Sequence, residues 1–275
     1  METAAKRDLE ASRLLERLLL LSAGLDRLRS RTEIVNTYAK AAQFRRDYQV
    51  IDRSLPGLRG FEIVRRDALL GLVSRYRPAD LIIATAHHGH FVAFFSACAR
   101  AGVRLAACYR SISAVYRNAL QQSGVALVDL DTMHNVTEIF NAFDRLRMEG
   151  RYLALMIDAP FASRRRYPFL GYDVTVSSMP WLYAKRRGTS LLPLAGHLVS
   201  ENLLGYHAGT VIEDVQADRT RDLLGFLQGI ILDQPQQYAW TANSFLLSDP
   251  VAREAAFSFV SEVLDWRALK DRHRT

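Results

Sequence analysis

Apolar runs of six to nine residues recur along the middle of the chain, separated by stretches in which apolar residues follow a helical period. The strand-like runs cover residues 81–86, 103–108, 125–130, 152–157 and 190–198. A further strand is indicated over 205–215 and a further helix over 219–232. Strands that alternate with helices are typical of α/β domains. The pattern predicts an α/β fold with a mainly parallel central sheet flanked by helices, preceded by a helical N-terminal region.

Length and composition predict a single domain. A chain of 275 residues with 49% hydrophobic content can bury a full core, and α/β domains of this size commonly form one unit. We expect a helical N-terminal region over residues 1–75, an α/β core over 76–248 and a C-terminal helix over 249–275. Cys98 and Cys108 stand in apolar surroundings without the spacing of a metal site. We therefore expect reduced thiols, no metal site and no cofactor.

The stretch from Leu14 to Leu28 predicts an amphipathic helix. Its leucines follow a helical period, and Leu19, Leu20 and Leu21 widen the apolar stripe. Charged residues interrupt the stretch, so it lacks the roughly 20 apolar residues that a membrane-spanning helix needs. Such a stripe packs on the domain core or contacts a membrane or hydrophobic partner, and we expect packing on the core. We expect a cytoplasmic protein, with peripheral contact to the inner face of the membrane as the alternative.

The formal net charge of +7 favours acidic partners. Anionic lipid headgroups, an acidic acyl carrier protein and the phosphates of coenzyme A are all suitable. The basic residues are spread along the chain without a zinc finger, an RNA-binding signature or a basic helix with a clear recognition face. We therefore expect no nucleic-acid partner.

The sequence His-His-Gly at residues 87–89 lies between the first apolar run of the core and a helical stretch over 91–101. Ligands in α/β folds gather at the carboxyl ends of strands, which is where these histidines are predicted to lie. His87 is therefore a candidate general base. The alternative is a polar turn without chemistry, because clustered histidines mark a functional site only in a statistical sense.

Six motifs, beginning with the histidine turn itself, lie in order along the chain. They are His87-x-Gly89, Tyr109-Arg110, residues 146–158, residues 164–171, residues 175–193 and the sequence Pro-Gln-Gln-Tyr-Ala-Trp at 235–240. Together they resemble the lipid A biosynthesis acyltransferases, the late-acyltransferase branch of the lysophospholipid acyltransferase superfamily. Residues 146–158 are the best extended match. The last motif resembles the Pro-x-Gln-Tyr-x-Trp signature near the C-terminus of that family and is specific, because Gln, Tyr and Trp at fixed spacing rarely recur by chance; the alternative for Gln237, Tyr238 and Trp240 is a structural role.

The resemblance implies an acyltransferase-like fold and a reaction at the histidine turn. By the family mechanism, His87 deprotonates an acceptor, which then attacks the carbonyl of an acyl carrier protein or coenzyme A thioester. Backbone or arginine donors stabilise the resulting oxyanion. The resemblance also implies that His88 and Gly89 lie at the bound substrate.

Three arginines are candidate substrate-binding residues under the same resemblance. Arg110 follows a predicted strand end, and Arg164 and Arg166 belong to a basic loop after the strand at 152–157. Arginine side chains suit the phosphate or carboxylate groups of a donor or acceptor. The alternative for the run at 164–166 is a solvated loop.

The chain departs from the family at the catalytic acid. The family has Asp or Glu after four intervening residues, and that position here is Val92. Three compensations are open: Asp158 at the end of a neighbouring predicted strand approaches His87, His90 orients His87, or the acceptor is an amine that needs less activation. Alternatively, Asp158 only caps a turn before its Ala-Pro sequence.

These observations leave three functional hypotheses. The first is an acyltransferase-like protein that transfers an acyl group to an amine or hydroxyl acceptor, small molecule or lipid, with His87 as the base and a non-standard partner. The second is a non-catalytic homologue that binds a lipid or a carrier protein after loss of the histidine–acid dyad. The third is a thioester hydrolase, in which water is the acceptor.

Overall fold

The computed structural model describes residues 19–55, 60–110, 112–159, 165–200, 202–240, 246 and 249–263. The strands are β1 (Glu62–Ile63), β2 (Leu81–Thr85), β3 (Leu105–Tyr109), β4 (Ala126–Asp129), β5 (Tyr152–Met156), β6 (Arg166–Phe169), β7 (Tyr172–Thr175), β8 (Ser190–Ser200) and β9 (Leu203–Ala208). Within these residues, seven strands form one sheet in the order β1-β9-β8-β2-β5-β3-β4, and β6 and β7 form a separate hairpin. The large sheet is parallel apart from the antiparallel pair β8–β9.

Helices connect the strands and cover the sheet. They are α1 (residues 19–25 of the described part), α2 (Arg31–Ser54), α3 (Arg66–Ser74), α4 (Phe91–Arg100), α5 (Ala114–Gln122), α6 (Val136–Met148), α7 (Met179–Arg187), α8 (Thr220–Asp233) and α9 (Pro250–Val263). Short 3-10 turns cover Leu130–Thr132 and Pro235–Gln237. The predicted α/β fold with a mainly parallel sheet flanked by helices is confirmed.

The strands lie close to the positions that the apolar runs predict. All five predicted core strands are present, and their ends differ from the predicted ones by at most two residues. The strand expected over 205–215 is β9 at 203–208, followed by a single bridge between Ile212 and Leu191. The N-terminal region is not wholly helical, because β1 pairs with β9 at the edge of the sheet. With only two residues, β1 is too short to show the alternation that identifies a strand.

The sheet is buried on both faces. Every residue of β2 is buried, as expected for a central parallel strand that helices cover from both sides. Ile82 and Ala84 belong to a core shared with α1, α6, α7 and α8. Leu81 and Ile83 alternate with them and belong to a second core shared with α3, α4 and α5. The backbone at the end of β2 is therefore fixed by packing on two sides.

The N-terminal leucine stripe packs on the core where the structure describes it. Leu19, Leu20, Leu21 and Leu25 are buried, whereas Leu28 is 38% exposed. The stripe residues before position 19 lie outside the described residues. None of the helices in the described ranges combines the length and the apolar character that crossing a bilayer requires. The predicted C-terminal helix is observed over 250–263, and the residues after it lie outside the described part.

Candidate active site

The register of two parallel strands brings Asp158 beside His87. β2 and β5 are neighbours, and Thr85 pairs with Met156. The Ile157 N–H donates to the Thr85 carbonyl over 2.8 Å, which continues the pairing beyond the strands. Because His87 and Asp158 each stand two residues after the last paired position, they emerge side by side at the carboxyl edge of the sheet.

Two hydrogen bonds join the histidine to the carboxylate. His87 Nδ1 lies 2.9 Å from Asp158 Oδ1, and the His87 backbone N–H donates to Oδ2 over 3.0 Å. The Asp158 side chain is fully buried, whereas that of His87 is 24% exposed. With Nδ1 directed at the carboxylate, Nε2 is the ring nitrogen left to accept a proton from a bound molecule. No hydrogen bond from Nε2 is present among the described residues.

The two side chains shift each other's pKa. Burial alone disfavours the charged form of His87, but the charge of Asp158 and the hydrogen bond to it prevail and raise the pKa of His87 above its ordinary value. Burial also acts against ionised Asp158. The charge and hydrogen bonds of His87, together with the Tyr238 hydroxyl, prevail there and hold the pKa of Asp158 below its usual range. A carboxylate in this position fixes the histidine tautomer and stabilises the imidazolium that forms when the base takes a proton.

The segment at residues 235–240 holds the histidine turn from the other side. The Ala239 N–H donates to the His87 carbonyl, and the Gly89 N–H donates to the Gln237 carbonyl, each over 2.8 Å. His88 and Tyr238 form an antiparallel bridge between these two contacts. The motif that most specifically carries the family resemblance therefore fixes the backbone of the candidate base.

Gly89 is required by the close approach of β8. Its φ of +57° lies in the left-handed region, and a Cβ atom there would meet His197 Cα at 2.6 Å and the Gly196 carbonyl oxygen at 2.7 Å. A side chain at this position would push the turn away from the sheet. The backbone of Gly89 also lines a cavity beside the turn.

His88 points into the interior instead of toward a substrate space. Its side chain is fully buried, and Nδ1 lies 3.1 Å from the Gly196 carbonyl oxygen. His207 lies 5.8 Å away between ring centroids, and His197 lies 4.5 Å from His207. Burial lowers the pKa of His88 and of His197 to about 4. Among the described residues, no group of three ligating side chains is arranged to hold a metal ion.

His90 caps a helix and does not contact His87. Its Nδ1 accepts a hydrogen bond from the Ala93 N–H over 3.1 Å, which caps α4. Its Nε2 lies 3.2 Å from Asp52 Oδ1, and its ring stacks on Tyr48 with centroids 4.1 Å apart. Both ring nitrogens therefore have partners other than His87. Of the two candidate partners for the base, the structure brings together His87 and Asp158 and holds His90 elsewhere.

The candidate arginines have different surroundings. Arg110 directly follows β3 at the same edge as His87, is 56% exposed, and has Nε 3.9 Å from Asp131 Oδ1. Arg166 donates to the Asp173 carbonyl over 2.6 Å and to Asp249 Oδ2 over 2.9 Å, so its charge is used within the β6–β7 hairpin and its neighbour. Arg164 lies outside the described residues. Both guanidinium groups are more than half exposed, but Arg110 stands at the sheet edge where His87 emerges, whereas Arg166 lies in the β6–β7 hairpin.

The position of the family's acid is part of the core. Val92 is fully buried in the cluster beneath the sheet, on the face of α4 that packs against Leu81 and Ile83. A carboxylate at that site would lose its hydration without gaining a cationic partner. The valine therefore fits its surroundings, and the carboxylate next to the histidine comes from β5.

A cavity of about 260 Å³ lies beside the histidine turn and was not predicted from the sequence. Its walls come from α1, α2, α5, the histidine turn and the 235–240 segment. The lining residues are Leu21, Tyr38, Ala41, Phe44, Tyr48, Gly89, Tyr116, Gln236, Gln237, Tyr238, Ala239 and Trp240. The signal in the sequence was the spacing of Tyr38, Ala41, Phe44 and Tyr48, which places them on one side of a helix. We call this cavity the aromatic pocket.

Known proteins offer no match from which a function could be assigned. Neither a scan against protein-family models nor a search of curated proteins finds a match for this chain. The function is therefore argued from the geometry of His87 and Asp158 and from the surfaces around them.

Proposed function

We propose that this protein is an acyltransferase that uses His87 as a general base and Asp158 as the carboxylate partner of that base. The observation that carries the proposal is the 2.9 Å contact between His87 Nδ1 and Asp158 Oδ1. A fully buried carboxylate that is bonded to a partly exposed histidine is the arrangement that general-base catalysis uses. A binding protein that had lost its dyad would have no need to keep a buried charge in this place.

The class of reaction comes from the ordered motifs that resemble the lipid A late acyltransferases. The donor in this proposal is the thioester of an acyl carrier protein or of coenzyme A, and the acceptor is an amine or a hydroxyl. Such donors place the reaction in the cytoplasm. The formal charge of +7 favours contact with an acidic carrier protein or with anionic lipid headgroups.

The proposed reaction proceeds in two proton-transfer steps around one tetrahedral intermediate. His87 Nε2 takes a proton from the acceptor N–H or O–H as the acceptor forms a new bond to the thioester carbonyl carbon. The intermediate then breaks its C–S bond, and the leaving thiolate takes the proton back from the His87 imidazolium. Asp158 retains the hydrogen bond to Nδ1 throughout and stabilises the positive charge on the ring.

The oxyanion of this intermediate needs hydrogen-bond donors. α4 begins at Phe91, four residues after His87. The Ala93 N–H donates to His90 Nδ1, whereas the N–H groups of Phe91 and Val92 come before the first hydrogen bond within the helix. These groups and the positive end of the helix dipole lie at the edge of the sheet where His87 emerges. They and the exposed Arg110 guanidinium are the donors that we propose for the oxyanion.

The proposal is tested by mass spectrometry of the products formed from acyl carrier protein and coenzyme A thioesters with a panel of amine and hydroxyl acceptors. We expect acyl transfer by the wild-type chain and a loss of about 10²-fold or more in His87→Ala, because a positioned general base contributes about 10²–10⁴-fold. His134→Ala is the matched control, since His134 is an exposed histidine on another part of the sheet edge.

Three outcomes contradict the proposal. Equal rates of acyl transfer by the wild type and His87→Ala would show that His87 is not the general base. Release of free acid without transfer to any acceptor identifies a hydrolase. Binding of thioesters or lipids without turnover identifies a non-catalytic binding protein.

A further inference from the structure

The aromatic pocket shares its wall with the turn that carries His87. Gly89 lines the pocket two residues after His87, and Ala239 lines it while its N–H donates to the His87 carbonyl. Tyr116, a third wall residue, lies 6.1 Å from the Phe91 ring, and the Phe91 ring lies 5.3 Å from that of His87. The pocket therefore adjoins the backbone of the histidine turn, which Gly89 and Ala239 share with it.

The lining of the pocket selects among the ligands that an acyltransferase handles. Six of its twelve lining residues are aromatic, and none of the twelve carries a charge. A phosphorylated headgroup would lose its hydration there without a cationic partner. At about 260 Å³, the volume is also just below the usual range of ligand pockets, roughly 300–1,000 Å³, which favours a compact molecule over a long acyl chain.

A negative charge lies behind the aromatic wall. The ring of Tyr48 stacks on His90, whose Nε2 lies 3.2 Å from Asp52 Oδ1. Burial raises the pKa of Tyr48 to about 12, and burial, Tyr48 and Asp52 together raise the pKa of Tyr116. Both phenols stay neutral near pH 7, and their ring faces suit a cation in the pocket.

We propose that the aromatic pocket binds the ring of an arylalkylamine, which is the acyl acceptor of the reaction at His87. This inference rests on the proposed acyl transfer and names the acceptor class. The aromatic walls suit the ring by edge and face contacts. The ring faces stabilise the ammonium group. One of its protons passes to solvent water; the neutral amine then attacks the thioester carbonyl as His87 Nε2 takes the second proton and passes it to the leaving thiolate.

The test measures binding of 2-phenylethylamine to the purified full chain by isothermal titration calorimetry, without a thioester. Ala41 lines the pocket and is 6% exposed, so Ala41→Phe fills the cavity. We expect binding to the wild type and at least a tenfold weaker affinity in Ala41→Phe. Ala39→Phe is the matched control, because Ala39 is an exposed alanine on the same helix, and it should bind like the wild type.

A second variant covers the case in which Ala41→Phe does not fold. Phe44→Leu removes one ring from the wall and leaves an apolar side chain of similar bulk. We expect 2-phenylethylamine to bind several-fold more weakly to Phe44→Leu, while hexylamine, which has no ring, changes little. Both variants are compared at a temperature where their circular dichroism matches that of the wild type.

Several results would overturn the inference. They are no measurable binding of 2-phenylethylamine, equal affinity in the wild type and Ala41→Phe, or tighter binding of dodecanoate with the same dependence on Ala41. The last result would assign the pocket to the acyl chain. Binding is also measured in His87→Ala, so the two proposals are tested separately. Binding of the ring without acyl transfer would contradict the proposed acyltransferase activity. Acyl transfer only to acceptors without a ring would contradict the proposed role of the aromatic pocket.

Discussion

Asp158 is a buried carboxylate whose charge is stabilised by His87 and by the Tyr238 hydroxyl. Two groups of His87 bond to its two oxygens, and the side chain has no exposure. Removing one partner from a buried charge pair costs about 3–5 kcal/mol of stability, because the other charge remains without compensation. A substitution that keeps the shape of Asp158 and removes its charge therefore separates chemistry from packing best.

We expect Asp158→Asn to lower acyl transfer by about 10²–10⁴-fold and to move the pH profile of the rate. His87 acts as a base only when its ring is neutral, so activity rises as the pH passes the pKa of His87. In the wild type that pKa lies above 6.5, because Asp158 raises it. Without the charge of Asp158, the rising limb moves to lower pH even though the rate falls. Initial rates between pH 5 and 9 test this.

Asp80→Asn is the matched control for this profile. Asp80 stands immediately before β2, at the opposite edge of the sheet from His87, and pairs with Arg77. The control should keep the wild-type rate and profile. If the pH at which the rate rises is the same in Asp158→Asn as in the wild type, Asp158 does not set the pKa of His87.

The strands were predictable from the sequence because buried parallel strands are continuous apolar runs, as in residues 81–86 and 152–157. Their order in the sheet was not. β5 lies between β2 and β3, although β3 and β4 precede it in the chain. Apolar runs carry no information about which neighbour each strand chooses, so the approach of Asp158 to His87 was one of three options until the pairing was known.

The aromatic pocket and the role of His90 depend on contacts between distant elements. Tyr48 and Asp52 lie on α2, about 40 residues before His90, and no local motif links them. Sequence patterns describe which face of α2 is apolar but not what that face meets. Residues 235–240 likewise contact the histidine turn across about 150 residues of sequence, through the Ala239 N–H and the Gln237 carbonyl.

Gln237 ties the 235–240 segment to β8. Its Oε1 accepts from the Leu198 N–H over 2.7 Å, and its Nε2 donates to the Leu198 carbonyl over 2.9 Å. We expect Gln237→Leu to lower the free energy of unfolding by about 2–4 kcal/mol, because a buried polar group left without a partner costs about 1–3 kcal/mol. Urea unfolding at pH 7 measures it. Gln236→Leu, at a half-buried neighbour, should change the free energy far less.

The whole molecule carries a group of neutral histidines in its interior. Burial holds the pKa of His88 and of His197 near 4, and burial also lowers that of His207. In the unfolded chain a histidine takes up its proton near pH 6.5. Between these values the unfolded state binds more protons than the folded state, so stability falls as the pH falls from about 6.5 toward 4.

We expect the free energy of unfolding to fall by about 3 kcal/mol between pH 7 and pH 4 because of the fully buried His88 alone. Each unit by which the folded state lowers its pKa corresponds to about 1.4 kcal/mol. Asp158 does not change this pH dependence between pH 7 and pH 4, because the stability that its lowered pKa provides is lost only below the ordinary pKa of an aspartate. Urea unfolding at pH 7, 5.5 and 4.5 measures the slope. His88→Gln should flatten it, whereas His134→Gln should not, and equal slopes would contradict the assignment.

The pairing of β2 with β5 also has a consequence for how the chain avoids misfolding. A slip of one residue between these two strands would turn Asp158 to the other face of the sheet and leave its charge buried beside apolar side chains. The cost of such an uncompensated ion is several kcal/mol, which is a large fraction of the stability of a typical domain. The ion pair at the ends of the two strands therefore opposes a shifted alignment.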